Sequence, residues 1–251
     1  MKSIKNKKYP ELIVVAGPTA SGKTSLGIEL ALRFDGEIIS ADSRQVYRGL
    51  DVGSGKVTEI EKKGVPHHLI NILEPEQKYN VYKFQKDCTM LISEIVSRGK
   101  LPIIVGGTGL YIESVVEQYQ FSRYFKRSKK KLGLRPNTLV LNLNPDREQI
   151  KFNIQKRLLE RWKNEEMLKE VQDLIKAGVS KAWLKSLGLE YKFVTQFIEG
   201  GFESEEIMLE KLNTASWQFA KRQITFLKRW RYAKEIKVSE DGISLTEDFL
   251  A

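Results

Sequence analysis

The chain has 251 residues, 41% of them hydrophobic, enough for one sizeable core with a smaller appended part and too few for several large domains. Lysine and arginine outnumber aspartate and glutamate by 42 to 32, a net charge of +10, which favours a polyanionic partner or else a solvated basic surface. The single cysteine, Cys88, excludes an internal disulfide and a cysteine-built metal cage, and fits a reducing, cytoplasmic setting.

Residues 1–10 (MKSIKNKKYP) are basic and polar, and no apolar stretch long enough for a signal peptide or membrane span follows them. A flexible tail and no membrane association are expected. Residues 11–16 (ELIVVA) form a short apolar run ending in Gly-Pro, as a buried parallel strand entering a turn would. A helical pattern follows, with Leu26, Leu30 and Phe34 on one face, and a second strand at 37–40 precedes Asp42. Residues 101–105 (LPIIV) give a third strand, broken by Gly106 and Gly107 before a helix from about Leu110. Residues 122–136 are basic and poor in apolar side chains, which predicts an exposed loop. A further strand at 138–143 (TLVLNL) leads to a charged helix from near Pro145, a break around Gly188, and a second helical stretch from 204 to 230.

Strands alternating with helices predict an α/β chain: a P-loop NTPase-like parallel sheet flanked by helices, with a small, mostly helical appended part. The expected organisation is a catalytic core over 11–120, a basic loop over 121–136, a last core strand with helices packing back over 137–235, and a C-terminal tail over 236–251.

Gly17-Pro18-Thr19-Ala20-Ser21-Gly22-Lys23-Thr24 fits G-x-x-x-x-G-K-[ST] between a predicted strand and a predicted helix, the context that a phosphate-cradling loop requires. Glycines let successive N–H groups converge on phosphate oxygens at the helix N-terminus. Gly17, Thr19, Ala20, Ser21, Gly22, Lys23 and Thr24 are therefore candidate ligand contacts, and the Thr24 hydroxyl is the candidate for Mg2+. Such a loop identifies the bound group and leaves the reaction open. An NTPase usually carries a second acid at a strand end. Here one strand runs into Gly106-Gly107-Thr108 and another into Asn144-Pro145, so Asp42 is the one acid so placed.

Four further blocks follow in chain order: the run from Ser40 to Tyr47 (SADSRQVY), Pro66-His67-His68-Leu69, the run from Gly106 to Tyr111 (GGTGLY), and the run from Ala220 to Thr225 (AKRQIT). Together with the phosphate loop they resemble the bacterial tRNA dimethylallyltransferase family. The resemblance implies that dimethylallyl diphosphate occupies the loop and that the acceptor is the N6 amine of an adenosine in the tRNA anticodon loop. On that basis Asp42 is expected as general base, with Lys23, Thr108 and Arg222 as catalytic contacts to the diphosphate and the reaction centre. Asp42, Ser43, Arg44, Gln45 and Thr108 are expected to touch the tRNA, and the protein is expected to act as a monomer. Without the resemblance, the Gly-Gly-Thr-Gly run reads equally well as an ordinary turn.

Basic residues from Arg123 to Arg135, with Tyr124 and Phe125, are candidates to hold RNA phosphates. His67 and His68 lack a third ligand at metal-binding spacing and are left as structural or RNA-loop residues. The chain departs from the family where a helical insertion would grip the anticodon stem, and Trp217 stands where an arginine is usual. Competing readings are a small-molecule P-loop kinase, an isopentenyltransferase acting on free adenine nucleotides, and a nucleic-acid-binding module without catalysis.

Overall fold

The protein is described by a computed structural model that covers residues 9–121, 129–163 and 166–251. In chain order, β1 (Leu12–Ala16) leads through α1 (Lys23–Arg33) to β2 (Gly36–Ser40). A short helix α2 (Glu59–Lys62) and an edge strand β3 (His67–His68) precede α3 (Val81–Ser97), β4 (Leu101–Gly106) and α4 (Gly109–Val116). The hairpin strands β5 (Tyr119–Phe121) and β6 (Lys129–Lys131) come before β7 (Thr138–Leu143). Helices α5 (Arg147–Lys163), α6 (Glu166–Lys176), α7 (Lys181–Ser186), α8 (Leu189–Ile198) and α9 (Glu205–Leu227) follow. The chain closes with β8 (Lys234–Ile236) and α10 (Ser239–Leu250).

Six strands form one parallel sheet in the order β3-β2-β4-β1-β7-β8. Side chains of β1 alternate between its faces: Leu12, Val14 and Ala16 pack with Phe84, Ile95 and Ile112, whereas Ile13 and Val15 pack with Leu26, Leu30 and Ile243. Both faces are covered, so the strand reads as an unbroken apolar run rather than an alternation. Each fully buried Leu or Ile contributes about 1.5–3 kcal/mol relative to exposure. The predicted α/β sheet is thus present, and the appended helical part has its own core, in which Leu158, Val171, Leu184, Tyr191 and Leu212 close around Val46 and Leu50. Helix α9 joins the parts, with Leu212 in the helical core and Leu227 in the sheet core.

His68 is a structural residue. Its Nε2 lies 2.6 Å from Oε2 of Glu37 on β2, which also accepts from Arg98 on the turn after α3 at 2.7 Å. Those hydrogen bonds hold the Glu37 carboxyl below the usual carboxylate range, and they tie the edge strand to the sheet.

Two expectations are corrected. The stretch 236–251 is not a tail: Ser239–Leu250 is helical and lies against α1 and β7, with Ile243 buried. Gly242 permits that contact, since a Cβ there would come within 3.0 Å of Ile236 and 3.1 Å of Leu26. The basic segment after Phe121 is not simply an open loop either. Tyr119–Phe121 pairs antiparallel with Lys129–Lys131, and Lys131 is committed to Glu113 at 2.6 Å and to Glu117. A positive charge so neutralised is a weak phosphate contact. Arg123, Tyr124 and Phe125 lie outside the described residues.

Candidate active site

Because β2, β4 and β1 are neighbours with carboxyl ends on one edge, the loops that follow them meet there. They line a cleft of about 120 Å3 that contains Thr19, Lys23, Thr24, Asp42, Thr108 and Gln223. This cleft continues into a wider groove of about 1150 Å3, with which it shares Lys23, Thr24, Arg157 and Arg161.

The phosphate loop has the backbone its sequence predicts. Gly22 takes φ +89°, a left-handed step that a side chain would strain, and α1 begins at the next residue with no side-chain cap on its first turn. The open amides and the positive end of the helix dipole suit an anion. Lys23 Nζ donates to the Pro18 carbonyl at 3.1 Å across the loop. Gly17, Ala20 and Ser21 form the back of the loop: Ala20 is buried against Ile150 and Ile154, and its carbonyl accepts from Asn153 Nδ2 at 3.0 Å. Thr19 lines the cleft, and its N–H donates to Gln223 Oε1 at 2.8 Å, so that one amide of the loop is engaged within the protein.

Desolvation of the Lys23 ammonium, reinforced by nearby Arg157 and opposed by Asp42, pulls its pKa down to about 8. A diphosphate binds the charged form. Below pH 8 the charge is already present and affinity is flat in this group; above pH 8 binding must take up a proton. Affinity for inorganic pyrophosphate is therefore expected to fall about tenfold per pH unit above 8. Isothermal titration across pH 7 to 10 checks it, and a flat profile would contradict it.

Asp42 faces Lys23 from the end of β2. Its Oδ1 accepts from the Arg44 and Gln45 N–H groups at 2.8 and 3.4 Å, a local turn that fixes the carboxylate. The other oxygen, Oδ2, has no protein hydrogen bond among the described residues. Thr108 braces the same wall: its Oγ1 accepts from Ser43 N at 3.2 Å, leaving the hydroxyl proton free for a ligand. Gln45 is held by the Gly55 carbonyl at 3.3 Å and by Ser40 at 3.0 Å, and Arg44 donates to the Leu187 carbonyl at 2.8 Å.

Arg222 is exposed, is absent from the cleft lining, and stands 5.9 Å from the Phe219 ring. The inward-facing residue of that block is Gln223, whose Nε2 donates to the Gly107 carbonyl at 3.0 Å while its Oε1 holds Thr19. Gln223 thus ties the phosphate loop to the β4–α4 turn. Two further residues were not anticipated. Arg157 and Arg161, one turn apart on α5, enter the cleft, and neither has an ion pair among the described residues. Burial and the neighbouring Arg161 lower the Arg157 guanidinium to about 10. Their sequence signal was an i, i+4 pair flanking the buried stripe Ile150, Ile154 and Leu158.

The outer wall, residues 51–55, is held from α6. The Glu170 carboxylate accepts from the N–H groups of Asp51, Val52 and Gly53 at 2.7, 2.6 and 3.0 Å and from Tyr191 Oη at 2.9 Å. Glu170→Ala leaves three amides without their acceptor and is expected to cost about 2–3 kcal/mol, with faster amide exchange confined first to 51–53. Urea unfolding with hydrogen exchange measures both, and unchanged protection would refute the strut.

A family profile described as IPP transferase matches residues 45–132 and 119–230, two stretches that meet at the β5–β6 hairpin. The chain is 42% identical to tRNA dimethylallyltransferase 2 of Shewanella sediminis, over 87% of this chain and 89% of that protein. That alignment runs to 271 positions, so the relative carries residues with no counterpart in these 251. Identity to the tRNA dimethylallyltransferase of Pelotomaculum thermopropionicum is 33%, over 94% and 93% of the two chains. Among solved structures, the tRNA delta(2)-isopentenylpyrophosphate transferase of Staphylococcus epidermidis superposes with a TM-score of 0.83 at 32% identity, covering 95% of this chain and 99% of that one. The tRNA isopentenylpyrophosphate transferase of Bacillus halodurans does so with a TM-score of 0.84 at 28% identity, covering 96% and 95%. At such identity over so much of its length, the chain belongs to the IPP transferase family.

Proposed function

We propose that the protein transfers a dimethylallyl group from dimethylallyl diphosphate to the N6 amine of an adenosine in the tRNA anticodon loop. The observation that carries this reading is the opposition, across one cleft, of the Asp42 carboxylate to three cations, Lys23, Arg157 and Arg161. In the reaction the N6 lone pair forms a bond to C1 of the allyl group, the C1–O bond breaks, and its electron pair leaves with the diphosphate. The N6 proton passes to Asp42 Oδ2. An exocyclic adenine amine is a poor nucleophile, since its lone pair is delocalised into the ring, and a fixed carboxylate offsets that. Charge building on the leaving oxygens meets Lys23, the two guanidinium groups and the first-turn amides of α1, already oriented and partly desolvated. The Thr108 hydroxyl can donate to either substrate.

Mg2+ fits as a companion of the diphosphate. Thr24 offers one hydroxyl, and among the described residues no group of three or more His, Cys, Asp or Glu gathers to hold a metal by itself. An ion bound mainly through phosphate oxygens and water suits that donor set, and it would add positive charge at the leaving group.

The names of the relatives favour tRNA over a free nucleotide as acceptor. Radiolabelled dimethylallyl diphosphate, offered with Mg2+ to unmodified tRNA and in parallel to AMP and ADP, tests the reading. Label in tRNA alone supports it. Label in AMP or ADP would make the protein a free-nucleotide enzyme, and label in neither would direct attention to ATP-dependent phosphoryl transfer.

A further inference from the structure

Phe219 is the aromatic side chain of α9 that lines the cleft, half-buried on the same wall as Ser43 and Arg44. Two guanidinium groups flank its ring, Arg44 at 5.8 Å and Arg222 at 5.9 Å from the centroid. Arg44 is fixed by its hydrogen bonds to the Leu187 carbonyl, whereas Arg222 is exposed. Among the described residues neither guanidinium has a carboxylate partner. An aromatic face between two uncompensated cations suits a base with a phosphate on either side. The acceptor base must reach Asp42 and Thr108, so a ring that lines the same cleft beside Ser43 and Arg44 is placed to meet its neighbour in the strand.

We propose that Phe219 is a stacking platform for the unpaired nucleobase next to the acceptor adenosine, with Arg44 and Arg222 holding the flanking phosphates. This deepens the proposed function and rests on it. It also gives Arg222 an RNA contact in place of the diphosphate contact expected from the motif. A stacked base is sequence-tolerant unless its size matters, so the platform favours purines over pyrimidines beside the acceptor.

The test is binding of a fluorescent anticodon stem-loop RNA to the full chain, with inorganic pyrophosphate affinity measured beside it. Phe219→Leu keeps an apolar side chain in the wall and removes the ring. It is expected to weaken RNA binding about 5- to 150-fold with pyrophosphate affinity unchanged, while Phe219→Tyr stays within about twofold of wild type. An abasic site beside the acceptor should erase the difference between Phe and Leu. Wild-type RNA affinity in Phe219→Leu, equal losses in the Leu and Tyr variants, or a difference that survives the abasic site would each overturn the platform. If Phe219→Leu also loses pyrophosphate binding, Arg222→Gln on the exposed face decides. It must lower the slope of log affinity against log salt by about one, and an unchanged slope refutes the phosphate contact and the platform with it. Failure of the wild-type protein to bind the stem-loop would instead sink the tRNA reading itself.

Discussion

Asp42→Asn is expected to slow transfer to tRNA about 10²- to 10⁴-fold while leaving pyrophosphate binding, read well below pH 8 where Lys23 stays charged without Asp42 beside it, within about twofold of wild type. The substitution separates two jobs of the side chain. An amide oxygen can still accept from the Arg44 and Gln45 N–H groups that Asp42 Oδ1 now binds at 2.8 and 3.4 Å, so the turn and the Gln45 and Thr108 contacts around it persist. What disappears is the free, proton-accepting Oδ2 in the cleft. General-base catalysis is worth about that range, or roughly 3–5 kcal/mol of barrier. Single-turnover transfer with labelled dimethylallyl diphosphate isolates the chemical step from product release. Normal turnover in the Asn variant would end the general-base assignment. A loss matched by weaker pyrophosphate binding would make Asp42 a diphosphate or metal contact instead.

The parts of this site that a sequence reveals are those governed by local rules. Gly22 and Lys23 are legible because the loop needs a left-handed glycine and a helix start in that order, and Asp42 because a strand end at Ser40 fixes where it must emerge. The buried runs at 12–16 and 138–143 are legible because both sheet faces are covered. Features set by tertiary packing were hidden. α10 buries Gly242, Ile243 and Thr246, one large apolar side chain between a glycine and a hydroxyl, and among acids its glycine reads as a turn. β8 turns only Ile236 fully inward. Gln223 and Arg222 differ by one step of about 100° around α9, and which of them faces the phosphate loop depends on how the helix lies on the sheet. Arg157 and Arg161 could be read as an ordinary solvated pair until the pairing of β7 with β1 put α5 against the phosphate loop at Ala20.

Those two arginines make the sharpest contrast between function and stability. Arg157→Ala is expected to weaken inorganic pyrophosphate binding about 10- to 100-fold, the loss of one charge-assisted contact in a partly desolvated site, and Arg157→Ala/Arg161→Ala further still. The same change should leave thermal stability equal or higher. Arg157 has no ion pair among the described residues, its guanidinium is held to about 10 by burial and Arg161, and it in turn depresses Lys23. Removing it relieves like-charge repulsion that only an anion otherwise offsets, the usual tension between a binding site and the stability of the free protein. The pH profile supplies an independent mark. With Arg157 gone, the break in pyrophosphate affinity near pH 8 should move upward, toward the ordinary lysine range, because one of the two causes that lower Lys23 has been removed. Calorimetric melting with titrations at several pH values tests all three effects. Unchanged affinity with a lower melting temperature would mean that the pair is structural and that the diphosphate lies elsewhere in the groove.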